Sequence, residues 1–334
     1  MISLLLKLAL GDSLTRPEVR AILSDMTQGR TGSALAGSYL LLLKRKGETA
    51  QEITAAARYF RRAGVRLHSR MANAVDACGT GGDGQGTLNA STLAAIVAAA
   101  GGVPVAKHGN RGASSPCGSS DLLEALGIRL DAPGYRVERA LAKTGFTYCH
   151  APLYQPALAH WAPLRRALAV RTLFNLLGPL LNPFRVKRQL LGTSSRALIP
   201  LMVHSLEALG TERALVVHSR DGLDEISVSA DTWICELEQG RVRHSCVSPR
   251  DLGLRRYPLR DLRVSGRAEG VTVARALLAG RGPQAARAFV AANAGALFYV
   301  SGRERTLKSG TARALALLAT GEPERLLARV RRIL

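Results

Sequence analysis

Cysteine, aromatic residues, acidic residues and long apolar runs are all sparse in this chain, and each shortage removes a class of protein. The five cysteines are scattered, with no CxxC pair and no even count. A reduced, cytoplasmic and metal-free use of cysteine is the simplest account, in place of a disulfide framework or a thiolate metal centre. The apolar run from Leu4 to Leu10 is too short to span a bilayer and has no clear cleavage region after it, so neither a membrane anchor nor a signal peptide is expected. Acids number 25 against 46 Lys and Arg, a formal charge of +21. Most of the excess is arginine, densest from Arg250 to Arg332. Three explanations stand open: a composition bias toward arginine, a nucleic-acid surface, and attraction for anionic substrates. With aromatics at 4%, no basic stripe interleaved with aromatic residues appears, nor any helix-turn-helix pattern. A nucleic-acid partner is therefore possible but not favoured.

What is present is enough for a sizeable core. At 334 residues and 47% apolar content the chain can hold two domains. Residues 1–70 carry only helical signals. Thr15-x-x-Glu18 and Thr49-x-x-Glu52 are capping boxes, and Gly29, Gly32 and Gly47 punctuate the helices. From Val75 onward short apolar strands alternate with helices, Ala214 to Val217 among them, which predicts a mostly parallel sheet across residues 71–334. Pro163 to Leu177 reads as helical again. The fold class is thus α/β: a small all-helical N-terminal domain followed by a larger α/β domain. No repeat or low-complexity segment interrupts it.

The run Asp76-Ala77-Cys78-Gly79-Thr80-Gly81-Gly82-Asp83-Gly84 concentrates glycine where packing does not ask for it. Glycines free the backbone to turn tightly and to bring N–H groups against an anion. Val75 to Cys78 reads as a buried strand and Ser91 to Ala100 as a small-residue helix, so the loop falls between a strand end and a helix N-terminus, a phosphate site by position. A plain strand-to-helix connection is the alternative. The loop matches neither the P-loop nor the Rossmann pattern, and Asp83 inside it suggests a metal or a sugar hydroxyl beside the phosphates. After Gly101-Gly102 and a short strand at Val103 to Ala106 comes Lys107-His108-Gly109-Asn110-Arg111-Gly112-Ala113-Ser114-Ser115-Pro116-Cys117-Gly118-Ser119-Ser120-Asp121. Two cations, an amide and four serines offer many donors, and Ser119 or Ser120 is placed to cap a helix from Asp121 to Leu126. Further on, Asp224-Glu225 puts two acids together after a strand and a glycine in an acid-poor chain, which favours a metal role over a solvated acidic pair.

Taken together, GTGGDG, the continuation through Thr87, Asn89, Ser91 and Thr92, the KHGNR run, Arg171 to Pro183 (RTLFNLLGPLLNP) and Asp221 to Ser227 (DGLDEIS) resemble the anthranilate phosphoribosyltransferase family. The resemblance runs in order to the Asn293-to-Gly302 segment without a large insertion. It implies a nucleoside phosphorylase/phosphoribosyltransferase-like fold in which helices from about 163–180 return to the N-terminal domain, with the site in the cleft between the domains. It also implies a homodimer, Mg²⁺ as cofactor, phosphoribosyl pyrophosphate and anthranilate as substrates, and a place in tryptophan biosynthesis. Carried over by motif, the donor would be held by Gly79, Gly82, Asp83, Thr87, Asn89, Ala90, Ser91, Thr92, Lys107, His108, Gly109, Asn110, Arg111, Gly112, Ala113, Ser114, Ser115 and Ser119. Mg²⁺ would be held by Ser91, Asp224 and Glu225. The acceptor would meet Gly79, His108, Asn110, Gln155, Arg165 and Pro179, with Arg165 pairing the anthranilate carboxylate. No residue serves as a covalent nucleophile, because the arylamine attacks directly; catalysis is positioning and charge stabilisation.

Departures from the family pattern collect in the acceptor half. His150 stands where phenylalanine is usual, Gln155 where histidine is usual, Trp161 in place of a smaller apolar residue, Ala169 in place of glycine, and Ser219 where His-Gly is usual. Gln155 keeps hydrogen bonding without a titratable ring, and Trp161 is expected to alter pocket volume. Two alternatives accompany the family reaction: a same-fold paralogue using another aromatic acceptor, and a non-catalytic nucleic-acid-binding relative.

Overall fold

The computed structural model describes residues 1–71, 73–112 and 117–334. Helices α1 (Ile2–Ala9), α2 (Arg16–Thr27), α3 (Ser33–Lys46) and α4 (Ala50–Ala63) form the N-terminal bundle. Both capping boxes close. The Thr15 and Thr49 amides donate to Glu18 and Glu52 at 2.7 and 2.9 Å. Glu52 is fully buried, and it also accepts from the Leu14 amide and the Lys46 ammonium, each at 2.9 Å. One local cap thereby fastens three segments of the bundle. On α4 the residues Ile53, Ala56, Ala57 and Phe60 fall on one buried stripe, the helical spacing that drives docking.

The remainder runs β1 (Val75–Gly79), α5 (Ala90–Ala100), β2 (Val105–Gly109), α6 (Ser119–Ala125), α7 (Gly134–Thr144) and β3 (Phe146–His150), then the short helices α8 (Ala151–Tyr154), α9 (Pro156–His160), α10 (Ala162–Leu168) and α11 (Leu173–Leu177). It continues with β4 (Arg188–Gly192), α12 (Leu198–Ala208), β5 (Arg213–Ser219), β6 (Thr232–Glu238), β7 (Arg241–Val247), α13 (Arg267–Leu278), α14 (Gln284–Ser301), α15 (Leu307–Thr320) and α16 (Glu322–Arg331). The seven strands lie in the order β3-β2-β1-β4-β5-β6-β7. β1 to β5 pair in parallel, while β6 and β7 add antiparallel. The chain steps outward from β1 to β3 and then returns beside β1 as β4, so the strand order switches between β1 and β4. In open α/β sheets the ligand crevice lies at the carboxyl ends of such a pair.

Alternation along the strands divides the core. Leu190, Leu215 and Val217 join the cluster formed with α5 and α14, whereas Leu191, Ala214 and Val216 join the cluster that holds α12 and the N-terminal bundle. Leu173, Phe174, Leu176 and Leu177 belong to that second cluster as well, and Phe174 meets Phe60 edge-on at 6.0 Å.

Three local expectations are corrected. The helix read across Pro163 to Leu177 is two helices, because Ala169 adopts φ +52 and closes α10. The strand read at Val103 to Ala106 begins two residues later, since the Val103 amide turns back to the Ala98 carbonyl. Neither Ser119 nor Ser120 caps α6. The helix starts at Ser119 behind Gly118, whose amide is received by the Asp121 carboxylate at 3.0 Å. The Ser120 hydroxyl bonds Tyr148 Oη at 2.6 Å and His150 Nδ1 at 2.9 Å instead.

Candidate active site

Gly79 and Gly192 are cross-strand partners at the carboxyl ends of β1 and β4. A Cβ on Gly79 would lie 2.3 Å from Asp224 Oδ2, and one on Gly192 1.5 Å from the Asp224 carbonyl oxygen. The absence of side chains on both strands is what lets the Asp221–Ser227 loop fold across the switch point. The Gly81 amide then donates to Asp224 Oδ2 at 2.9 Å, and the Ser91 amide at the start of α5 donates to Glu225 Oε1 at 2.8 Å. Glu225 Oε2 is buried and has no partner among the described residues. Asn293 clamps the far side: its Oδ1 accepts from the Ile226 amide and its Nδ2 donates to the Ile226 carbonyl, both at 3.0 Å. Ser219 is fully buried, and its hydroxyl donates to the Glu225 carbonyl at 2.6 Å and accepts from the Ser227 amide at 3.1 Å. The departure at position 219 thus braces the acidic loop.

Three carboxylates share this recess. Burial, with Asp83 nearby as the second cause, pushes the Asp224 carboxyl up to about 6. Burial and then the Asp224 charge push Glu225 well above the carboxylate range, and burial also raises Asp83. Carboxylates held this way bind protons or a hard cation avidly. Among the described residues no three His, Cys, Asp or Glu side chains converge as a self-sufficient metal centre. The set that exists, an orphaned carboxylate oxygen beside a second carboxylate, suits an ion such as Mg²⁺ that takes one or two protein carboxylates and completes its shell with water and phosphate.

The glycine loop occupies the facing side. Gly81, Gly82, Gly84 and Gly86 all have positive φ, and the amides of Gly82, Asp83, Gly84 and Gly86 make no hydrogen bond among the described residues. The N-terminus of α5, into which the loop leads, is already occupied. The Ala90 amide bonds the Leu88 carbonyl, Ser91 bonds Glu225, and Thr92 bonds Asn89 Oδ1 at 3.1 Å. Ala90 and Thr92 are also fully buried, so neither offers the cleft a group. Asn89 is the helix cap, with its Nδ2 on the Cys117 carbonyl. Thr87 is half-buried and bridges to Arg263.

On β2 the picture differs again from expectation. Lys107 is 1% exposed, and its ammonium donates to the Ala77 carbonyl at 2.5 Å and to Ser91 Oγ at 3.4 Å. It is a strut beneath the loop and not a free cation in the cleft. His108 Nδ1–H donates to the Gly178 carbonyl at 3.1 Å, while Nε2 is buried and unpartnered. Burial lowers the imidazole to about 4, so the ring is neutral at physiological pH. Gly109 ends β2 against Ser119, where a Cβ would lie 3.0 Å from the serine Cβ. Asn110 is exposed and accepts from the Arg111 amide at 2.8 Å. Arg111 is turned away onto Asp121 and Glu124 at 3.0 and 2.9 Å, and the Gly112 amide also reaches Asp121. Ala113, Ser114 and Ser115 lie outside the described residues.

Arg165 projects from α10 half-buried. Burial alone lowers its guanidinium below the ordinary value, and no carboxylate pairs with it among the described residues. Pro179 is buried in the turn Gly178–Leu180, its carbonyl receiving Gln189 Nε2 at 2.7 Å. Gln155 is buried. It is 5% exposed, donates to the Leu181 carbonyl at 3.3 Å and abuts Gly64, where a Cβ would collide at 2.7 Å. Trp161 is 5% exposed and packs in the bundle core.

Comparison with known proteins agrees with this fold. The α/β-domain model of a glycosyl transferase family matches residues 71–323, and the same family's helical-bundle model matches residues 2–64. An anthranilate phosphoribosyltransferase of Halorhodospira halophila is 43% identical over 92% of this chain and 90% of its own length. The chain belongs to the anthranilate phosphoribosyltransferase family of glycosyltransferases. The crystal structure of the Thermus thermophilus enzyme is 42% identical, with a TM-score of 0.92 over 98% of each chain. That of the Saccharomyces cerevisiae enzyme in complex with phosphoribosyl pyrophosphate and Mg is 25% identical, with a TM-score of 0.86 over 95% of this chain and 92% of its own. The resemblance and fold expected from the motifs are thereby established.

Several structural members of the site were not singled out from sequence. Asp76 is fully buried, accepting from the His108 amide at 3.1 Å and from Asn182 Nδ2 at 2.9 Å. It joins β1 and β2 to the turn that carries Pro179. Asn293 had a readable signal, a lone amide side chain in an otherwise small and apolar helix. Gly192 had none, because its need arises only from a loop that passes over it.

Proposed function

We propose that this chain transfers the phosphoribosyl group of phosphoribosyl pyrophosphate to anthranilate, giving N-(5-phosphoribosyl)anthranilate and pyrophosphate, as a cytoplasmic enzyme of tryptophan biosynthesis. The observation that carries this reading is the recess at the switch point, where Asp224, Glu225 with its unpartnered Oε2, and free glycine-loop amides face one another. The helical domain comprises residues 1–70 with the helices of about 163–180, the α/β domain is residues 71–334, and the substrates meet in the cleft between them. Ser91, Asp224 and Glu225 would hold Mg²⁺, which when bound neutralises phosphate oxygens of the donor. The amides of Gly82, Asp83, Gly84 and Gly86 donate to pyrophosphate oxygens, as anion-binding backbone does. Arg165 receives the acceptor carboxylate and orients the amine toward the anomeric carbon. The amine lone pair forms the new C–N bond as the bond to pyrophosphate breaks; the electron pair leaves on pyrophosphate and the amine loses its proton. His108, neutral and with Nε2 free, adds an acceptor on the acceptor side.

A second copy of the chain is the proposed protein partner. Ile2, Leu6 and Leu10 are 67, 61 and 83% exposed at helical spacing, and Leu41 on the adjoining α3 is 44% exposed. Such an apolar stripe supports this reading. No helix among the described residues is long and apolar enough to cross a membrane.

Initial rates with phosphoribosyl pyrophosphate, Mg²⁺ and a panel of aromatic amines test the activity. Anthranilate should be consumed only when all three components are present. Preference for another amine would make the chain a paralogue, and no transfer together with salt-resistant nucleic-acid binding would make it a non-catalytic relative.

A further inference from the structure

We propose that Arg171 is a positioning residue for the donor: its guanidinium holds the glycine loop in the shape that presents free amides to pyrophosphate, and ties that shape to the segment carrying the acceptor arginine. The inference rests on the phosphoribosyl-transfer reading.

Arg171 lies in the short link between α10 and α11, yet its side chain reaches some ninety residues back along the sequence. Nη1 donates to the Gly81 carbonyl and Nη2 to the Thr80 carbonyl at 3.3 Å. The same turn is gripped from its other edge, where the Gly81 amide donates to Asp224 Oδ2 at 2.9 Å. Carbonyl oxygens turned into a site for a polyanion would repel it. With two of them committed to a guanidinium, the opposite edge of the loop is left to the amides of Gly82, Asp83, Gly84 and Gly86, which carry no partner among the described residues. Gly82 is shaped by this contact. A Cβ there would lie 1.7 Å from Arg171 Nη1, and φ is +77, so the conformation disfavours a side chain and any Cβ would displace the guanidinium that rests on the loop.

The base of Arg171 is as constrained as its tip. On one side Ala169 closes α10, the helix that presents Arg165, at φ +52. On the other the Thr172 amide donates to Asn175 Oδ1 at 3.0 Å, starting α11, whose Leu173, Phe174 and Leu177 are buried in the bundle core. The two arginines therefore flank one fixed turn, and the Arg171 side chain is anchored at both ends. A plain strut between domains would share the contacts but would not discriminate donor from acceptor.

The test compares wild type, Arg171→Ala and Arg171→Lys. Lysine keeps the charge but lacks the fork that serves two carbonyls at once. Donor Kd is measured by calorimetry with phosphoribosyl pyrophosphate and Mg²⁺, KM and kcat are measured separately for donor and acceptor, and Tm is measured without ligand. The expected result is a donor Kd and KM raised about tenfold or more in both variants, an acceptor KM within about threefold, and a Tm within about 2 °C of wild type. Added guanidinium should restore part of the rate of Arg171→Ala and none of that of Arg171→Lys. A donor Kd within about twofold of wild type in both variants overturns the proposal, whether or not Tm falls. Should wild type transfer nothing to anthranilate, the reading of the acceptor fails, while the donor Kd still decides the role of Arg171.

Discussion

Asp224→Asn should make the metal-free protein more stable at pH 8 while abolishing its response to Mg²⁺ and phosphoribosyl pyrophosphate. Burial first, and Asp83 second, raise the Asp224 carboxyl from 3.8 to about 6. A value higher in the folded than in the unfolded chain means that the native state holds the proton more tightly. The stabilising contribution is therefore fully present below about pH 4 and is lost as pH rises through about 6. A little over two pH units at about 1.36 kcal/mol each gives about 3 kcal/mol. Because the residue keeps some exposure, water screens part of this, and about 2 kcal/mol is the working figure. For a chain of this length that is about 3 °C in Tm. Asparagine removes the charge and keeps an acceptor for the Gly81 amide, which sits 2.9 Å from Oδ2. Thermal unfolding of both proteins from pH 4 to pH 8 provides the assay. The variant should match wild type at pH 4 and exceed it by about 3 °C at pH 8 without metal. With ligands at about a hundredfold their Kd, wild type should gain about 2.7 kcal/mol at pH 8, less at pH 5 where a proton must leave first, and the variant should gain nothing at either pH. Coincident pH profiles for the two proteins, or full ligand stabilisation of Asp224→Asn, would refute the reasoning.

Arg165→Ala should raise the acceptor KM by tens-fold or more, since truncating one partner of a desolvated charge pair costs about 2–5 kcal/mol; donor KM should hold steady, and an acceptor lacking the carboxylate should be indifferent to the change in steady-state assays. Ala169→Gly should stabilise the protein by up to about 1 kcal/mol in chemical denaturation, because Ala169 sits at φ +52, where L side chains are strained. Leu6→Glu, placed in the exposed stripe of α1, should shift the mass seen by light scattering to that of a monomer while leaving the far-ultraviolet circular dichroism unchanged.

What could be read from sequence was local. The capping boxes at Thr15 and Thr49, the glycine loop after β1 and the pairing of Asp224 with Glu225 each depend on neighbours a few residues away, and such short-range chemistry is written in order along the chain. The family motifs extended that reading to the α/β fold and to the reaction. Which groups stay free was decided only by contacts between distant segments. The α5 amide of Ser91 is taken by Glu225, 134 residues away, so the loop and not the helix end retains open donors. Lys107 is a cation by sequence, but packing of β2 beneath the loop leaves it 1% exposed on the Ala77 carbonyl. Gln155 and Trp161 occupy positions that looked like pocket edits, and the fold buries both, Gln155 on the Leu181 carbonyl and Trp161 in the bundle core. Burial, hydrogen-bond commitment and the raised Asp224 carboxyl are properties of surroundings assembled in three dimensions, and a residue's type sets only which of them it is able to accept.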